Sequence, residues 1–129
     1  LFLDKAGIPY VDVTCNDSVG KGVWDTGAGV TLVDTNFILK HPTLFEKVGS
    51  SRGTDSTGTT NETPTFKMKS VTIGGLRFAS HMVVGLDLSQ MNSKIDYPMD
   101  FLLGYSTLRQ ANWLFDFPNK KWGLTPVIT

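Results

Sequence analysis

The sequence is poor in the side chains that carry most metal and nucleophile chemistry, with one cysteine and two histidines in 129 residues. A single thiol excludes an internal disulfide, and Cys15, between Val13 and a turn, reads as a small buried hydrophobe. His41 stands beside Pro42 and His81 lies in the apolar run from Phe78 to Val84. Neither has Cys, His, Asp or Glu at ligand spacing, so both read as structural, and no metal or other cofactor is expected. An excess of either charge is also missing: Lys plus Arg and Asp plus Glu each number 12, which removes the attraction that nucleic acid or an anionic membrane surface would need. No apolar run approaches the ~20 residues of a membrane span. The first residue is Leu1 rather than methionine, as expected of a processed or excised chain. If a secretory signal has been removed, the location is periplasmic or secreted. Asn16-Asp17-Ser18 and Asn61-Glu62-Thr63 match glycosylation sequons in turn-like sequence and fix no compartment.

What is present points to strands. Thirteen glycines, six prolines and short runs of Val, Thr, Phe and Trp predict an all-β fold with one or two short helices. The length predicts one domain over residues 1–129. Tyr10, Val11, Val13 and Cys15 read as a strand, Asn16 to Gly22 as a turn, and Val23 and Trp24 as the next strand. A strand resumes over Val30 to Val33, and Asp34 opens a short helix ending before Pro42. The stretch 49–61 contains no apolar residue and is expected to be an exposed, mobile loop. Val71 to Phe78 is a hairpin turning at Gly74-Gly75, Met82 to Leu86 a buried strand, and Ser89 to Pro98 an irregular connection. Trp113 to Phe117 alternates as a strand, Pro118 to Lys121 turns, and Trp122 opens a last strand.

Two stretches carry chemistry. Val23-Trp24-Asp25-Thr26-Gly27-Ala28-Gly29 places one carboxylate on a glycine-hinged turn after an apolar strand, with a hydroxyl beside it. Asp-Thr-Gly by itself is also ordinary turn sequence. The second stretch, Phe101-Leu102-Leu103-Gly104, is an apolar strand ending in glycine, followed by a short helix for which Ser106 is the expected N-cap. Together these motifs resemble the retropepsin-like aspartic peptidases, in which an Asp-Thr-Gly-Ala/Ser loop pairs with a later apolar-apolar-Gly element running into a helix. The resemblance extends from Ile8 to about Leu124.

That resemblance implies a retropepsin-like closed β-barrel, the acid-protease fold, and an endopeptidase that uses Asp25 as its catalytic acid. Thr26, Gly27 and Ala28 would support the loop. Gly29, Gly53, Gly58, Leu103 and Gly104 would contact substrate, and a flap over about 48–68 would cover it. One carboxylate is not enough, because the chemistry needs two that share a proton, one acting as acid and the other as base. No other aspartate in the chain is followed by Thr-Gly, so the expected enzyme is a homodimer with a peptide or protein substrate. Thr26 would bond across to the partner's loop, and the N-terminal strands together with 125–129 would form the interface. Two departures stand out. Viral members have an acid and an arginine where this chain has Gly29 and Tyr105, so their internal ion pair is absent. Ala28 replaces a serine donor, which predicts a milder pH optimum than in Ser-bearing relatives. Two other readings remain open from the residues: a peptide-binding or dimerisation module with the same fold, and one lobe of a longer two-lobed chain.

Overall fold

Alternation builds the first hairpin. In β2 (Pro9–Cys15) Val11, Val13 and Cys15 are buried while Asp12 and Thr14 are exposed, the period of two of a half-buried strand. Its antiparallel partner is β3 (Ser18–Trp24). The turn between them is only Asn16 and Asp17, with Asn16 at a φ of 54°, a left-handed conformation that asparagine tolerates. The expected turn over Asn16 to Gly22 is therefore corrected. Gly20 and Gly22 are buried strand positions against the side chains of Phe101 and Leu103, chosen for thinness rather than for turning.

The structure, a computed structural model, describes residues 2–3, 7–54 and 60–127. Beyond β1 (Phe2–Leu3) and the first hairpin come β4 (Leu32–Asp34), α1 (Thr35–Lys40), β5 (Phe45–Thr54) and β6 (Thr60–Met68). Then follow β7 (Val71–Ile73), β8 (Leu76–Phe78), β9 (His81–Leu86), α2 (Ser89–Asn92), β10 (Phe101–Leu103), α3 (Tyr105–Leu108), β11 (Ala111–Asp116) and β12 (Lys121–Pro126). Among the described residues ten strands form one sheet in the order β5-β6-β9-β4-β10-β3-β2-β7-β8, with β1 on β2, and β11-β12 form a separate pair. The large sheet curls into a half-barrel, the form in which the expected all-β, retropepsin-like architecture appears. No helix among the described residues is long and apolar enough to cross a membrane.

Three elements differ from expectation. Much of the apolar-free stretch is strand, because β5 and β6 pair from Phe45↔Met68 out to Thr54↔Thr60. Threonine-rich backbone needs no buried face when its hydrogen bonds are met by the facing strand. The connection after β9 contains α2, a third short helix beside α1 and α3. Ser106 does not cap α3: Gly104 occupies the N-cap position, and the Ser106 hydroxyl is engaged elsewhere. The Gly74-Gly75 turn is as expected, with φ values of 59° and 83°, both in the region that glycine enters at little cost.

The main core lies beneath the curled sheet, where Val13, Val33, Met68, Phe78, Val83, Phe101 and Leu103 pack together. A smaller cluster of Tyr10, Val23, Leu88, Met99 and Leu102 forms on the other side of β3 and β10. Trp24 packs edge-on against Trp113, Phe115 and Trp122 at 4.9–5.9 Å between ring centroids, tying β11-β12 to the strand that leads into the Asp25 loop. Cys15 is buried as expected. Burial, with the Asp100 charge as a second cause, pushes its thiol up to about 11, so it stays protonated and unreactive at neutral pH.

Candidate active site

The strand order explains why Asp25 sits where it does. β10 is inserted between β3, which leads into the loop, and β4, which leaves it. It runs parallel to β3 with Leu102↔Val23 and Leu103↔Trp24, and antiparallel to β4 with Leu102↔Leu32. The strand is buried on both faces, Phe101 and Leu103 in the main core and Leu102 in the smaller cluster, which is why Phe101-Leu102-Leu103 reads as a continuous apolar run. Asp100 anchors its start. The Lys21 N–H donates to Asp100 Oδ2 at 2.8 Å, the Asp100 N–H to the Lys21 carbonyl at 2.8 Å, and the Asp34 N–H to the Asp100 carbonyl at 2.8 Å.

At the other end β10 meets the loop backbone directly. The Asp25 N–H donates to the Leu103 carbonyl at 2.9 Å and the Tyr105 N–H to the Ala28 carbonyl at 2.8 Å. A Cβ on Gly104 would overlap the Val30 carbonyl and stand 2.9 Å from the Ala28 oxygen. Within the loop, the Gly27 N–H donates to Asp25 Oδ1 at 3.0 Å and the Ala28 N–H to the Asp25 carbonyl at 3.2 Å. The carboxylate is half-buried, and its other oxygen has no partner within the chain among the described residues. Thr26 beside it is exposed.

Next to this loop lies an apolar cleft of about 500 Å³ lined by Ile8, Val23, Trp24, Met91, Ile95, Met99 and Leu102, with Lys94 at its edge. Leu102 and Leu103 face opposite sides, as consecutive strand residues must. Leu103, one of the expected substrate contacts, is 1% exposed in the main core, while Leu102 lines the cleft. The Gly104 amide is likewise occupied, donating to Thr31 Oγ1 at 3.0 Å. Gly29 is exposed and has open space around it. Gly53 lies in β5 opposite Asn61, and Gly58 falls outside the described residues. At the position of the viral arginine, Tyr105 is 61% exposed with the Arg109 guanidinium 6.0 Å over its ring.

The cleft residues Met91, Ile95 and Met99 escaped sequence reasoning, although their four-residue spacing is a signal for one face of a winding segment. Thr31 and Thr107 carry no comparable signal. His41 is structural, its ring 4.3 Å from that of Phe37 at the end of α1. Burial lowers the pKa of His81 from its ordinary value, the Nδ1 hydrogen bond to the Ala79 carbonyl opposing this in part. The folded chain therefore takes up this proton less readily than the unfolded one. The stability tied to neutral His81 is complete above the ordinary histidine value of about 6.5 and is lost as the pH falls below it. Thermal melting between about pH 7 and pH 5 should show a decline that is shallower in His81→Gln; parallel curves would contradict this.

No protein-family model matches the sequence, and no curated protein matches it. Solved structures do. A retropepsin-like aspartic protease from Rickettsia conorii superposes with a TM-score of 0.62 at 20% identity, over 88% of this chain and 80% of the other. The retroviral protease-like domain of Ddi1 from Leishmania major gives a TM-score of 0.62 at 17% identity, over 93% of this chain and 90% of the other. With β10 threaded between the two strands that hold the Asp25 loop, and with these likenesses spanning most of the chain, the protein has the retropepsin-like fold.

Proposed function

We propose that the chain is an aspartic endopeptidase whose active site forms when two copies bring their Asp25 loops together. The observation that carries this reading is the half-buried Asp25 carboxylate, on a loop locked from beneath by β10 and bordered by an apolar cleft. A lone aspartate at its ordinary pKa is a weak base toward water. Two at close range hold one proton between them, giving an acid and a base side by side. The ionised member takes a proton from a water held by the pair. That water's oxygen attacks the scissile carbonyl carbon while the protonated member donates to the carbonyl oxygen. Proton transfer to the amide nitrogen then lets the C–N bond break, releasing a carboxylic acid and an amine.

The surroundings suit an extended peptide. The Ile8, Val23, Met91, Ile95 and Leu102 side chains offer an apolar side chain about 500 Å³ of space. The β5-β6 hairpin serves as the flap, with Gly53 on it, and backbone pairing supplies much of the affinity. Gly29 and Gly104 support the loop that receives the substrate, Gly29 at its surface and Gly104 beneath it. The exposed Thr26 hydroxyl is available for the partner's loop. Strand β11 exposes Leu114 and Phe115, at 71% and 39%, and the turn after it Phe117, at 49%, an apolar surface that a second copy would cover. Digesting a mixed peptide library at several pH values should give cleavage beside apolar residues, with an optimum above about pH 3, since Ala28 supplies no side-chain donor to stabilise the ionised pair. No cleavage at any pH, at a concentration where light scattering shows dimers, would contradict the proposal.

A further inference from the structure

Thr31 and Thr107 are both 0% exposed, and a hydroxyl taken so completely from water must find its partners inside the protein. Their oxygens are 2.5 Å apart. Thr31 Oγ1 is 3.0 Å from the Gly104 amide nitrogen, and Thr107 Oγ1 is 2.7 Å from His81 Nε2. His81 Nδ1 in turn lies 2.7 Å from the Ala79 carbonyl oxygen.

Only one set of hydrogen positions fits a neutral imidazole. A carbonyl oxygen only accepts, so Nδ1 carries the ring proton and Nε2 presents a lone pair. The Thr107 hydroxyl then donates to Nε2, the Thr31 hydroxyl donates to Thr107, and Thr31 accepts from the Gly104 N–H. Gln110 Nε2 approaches the same Nδ1 at 3.1 Å, but both nitrogens carry hydrogen, so this is a contact only. The Gln110 amide oxygen accepts from the Ala79 N–H at 2.9 Å and its nitrogen reaches the Ser106 carbonyl at 3.4 Å. Ser106 Oγ accepts from the Thr31 N–H at 3.0 Å, and the Thr31 carbonyl accepts from the Val84 N–H at 3.0 Å. Every polar atom of Thr31 is thus used. Three separate elements, β9, α3 and the loop before β4, are joined through it to the glycine that touches the Asp25 loop.

We propose that His81, acting through Thr107 and Thr31, is a positioning residue that holds Gly104 and so fixes the seat of the Asp25 loop. This rests on the reading of Asp25 as the catalytic acid. The relay has one direction, so removing the Thr107 hydroxyl leaves the Thr31 proton unmatched in the core and takes from the half-buried His81 the donor to its Nε2 lone pair. The loop's support then loosens while the apolar cleft that binds substrate is untouched. The predicted signature is slower turnover with unchanged substrate affinity.

The test compares Thr107→Val, Thr107→Ser and His81→Phe in the whole dimeric chain. Amide exchange at Gly104 and the nitrogen shifts of His81 are followed by NMR, and kcat and KM are measured on a peptide that the wild type cleaves. Thr107→Val and His81→Phe should each speed Gly104 exchange roughly tenfold relative to amides of the distant β7-β8 hairpin, with kcat falling roughly tenfold and KM changing less than about twofold. Thr107→Ser, which keeps the hydroxyl, should behave as wild type. His81 Nε2 should show the shift of an unprotonated, hydrogen-bonded nitrogen, and lose it in Thr107→Val. Unchanged Gly104 exchange, failure of serine to rescue, exchange raised equally everywhere, or faster Gly104 exchange with unaltered kcat would each overturn the proposal. Failure of the peptidase reading would appear differently, as absent cleavage or cleavage indifferent to Asp25→Asn. In that case the exchange and nitrogen shifts still decide whether the relay holds Gly104.

Discussion

Asp25→Asn is expected to lower kcat/KM for peptide cleavage by roughly 10³-fold or more, since it removes a group that must both take and give a proton in the reaction. The fold should be untouched. The carboxylate's bond within its own chain is the one accepted by Oδ1 from the Gly27 N–H, which an asparagine oxygen accepts equally well. Size and shape are also kept, so melting temperature should stay within a degree or two and the dimer should persist. Initial-rate kinetics, a thermal melt and light scattering on the same preparation check all three. Equal cleavage by both proteins would remove Asp25 from the mechanism, and a loss accompanied by unfolding would make its role structural.

Gly104→Ala is expected to be the most damaging conservative change in the loop's support, costing about 2–3 kcal/mol of stability and nearly all activity. The reason is steric and not conformational, because Gly104 has a φ of −98°, which any residue adopts. A Cβ there meets main-chain atoms of Val30 and Ala28. Backbone cannot rotate aside as a side chain does, so β10 and the Asp25 loop must separate. Their separation breaks the Asp25 to Leu103 and Tyr105 to Ala28 hydrogen bonds together. Gly29→Ala is the matched control: its surroundings are open, and the change should cost no more than about 0.5 kcal/mol. Denaturant midpoints of the two variants decide the point, and similar losses at both positions would show that the close approach at Gly104 is unimportant.

The parts of the site that sequence revealed are those whose chemistry is local. Asp-Thr-Gly announces a carboxylate on a sharp turn, and Phe101-Leu102-Leu103-Gly104 announces a doubly buried strand with a thin end, so the loop and its floor could be paired before any coordinates. Facing and strand length are less legible. Ser18 to Gly22 reads as a turn because serine and glycine are common turn residues, whereas here the glycines make room for Phe101 and Leu103. The stretch 49–61 reads as a loop because it lacks apolar residues, yet its described parts, 49–54 and 60–61, are strand, since pairing satisfies backbone whatever the side chains are. That Leu102 lines the cleft while Leu103 lies in the main core is not legible either, because sequence gives the alternation of a strand but not which parity faces the cleft. The Thr31-Thr107-His81 relay was out of reach altogether. Thr31 and Thr107 are 76 positions apart and Thr107 and His81 26 apart, and isolated threonines carry no pattern that announces burial.

If the proposed peptidase is right, each active site needs an Asp25 from both copies of the chain. Wild type and Asp25→Asn should be mixed in varying proportions at fixed total concentration, allowed to exchange subunits, and assayed. If both carboxylates are required, activity follows the square of the wild-type fraction, falling to about one quarter in an equal mixture. Activity that follows the wild-type fraction linearly, to about one half in the same mixture, would mean that one Asp25 suffices and would contradict the shared dyad.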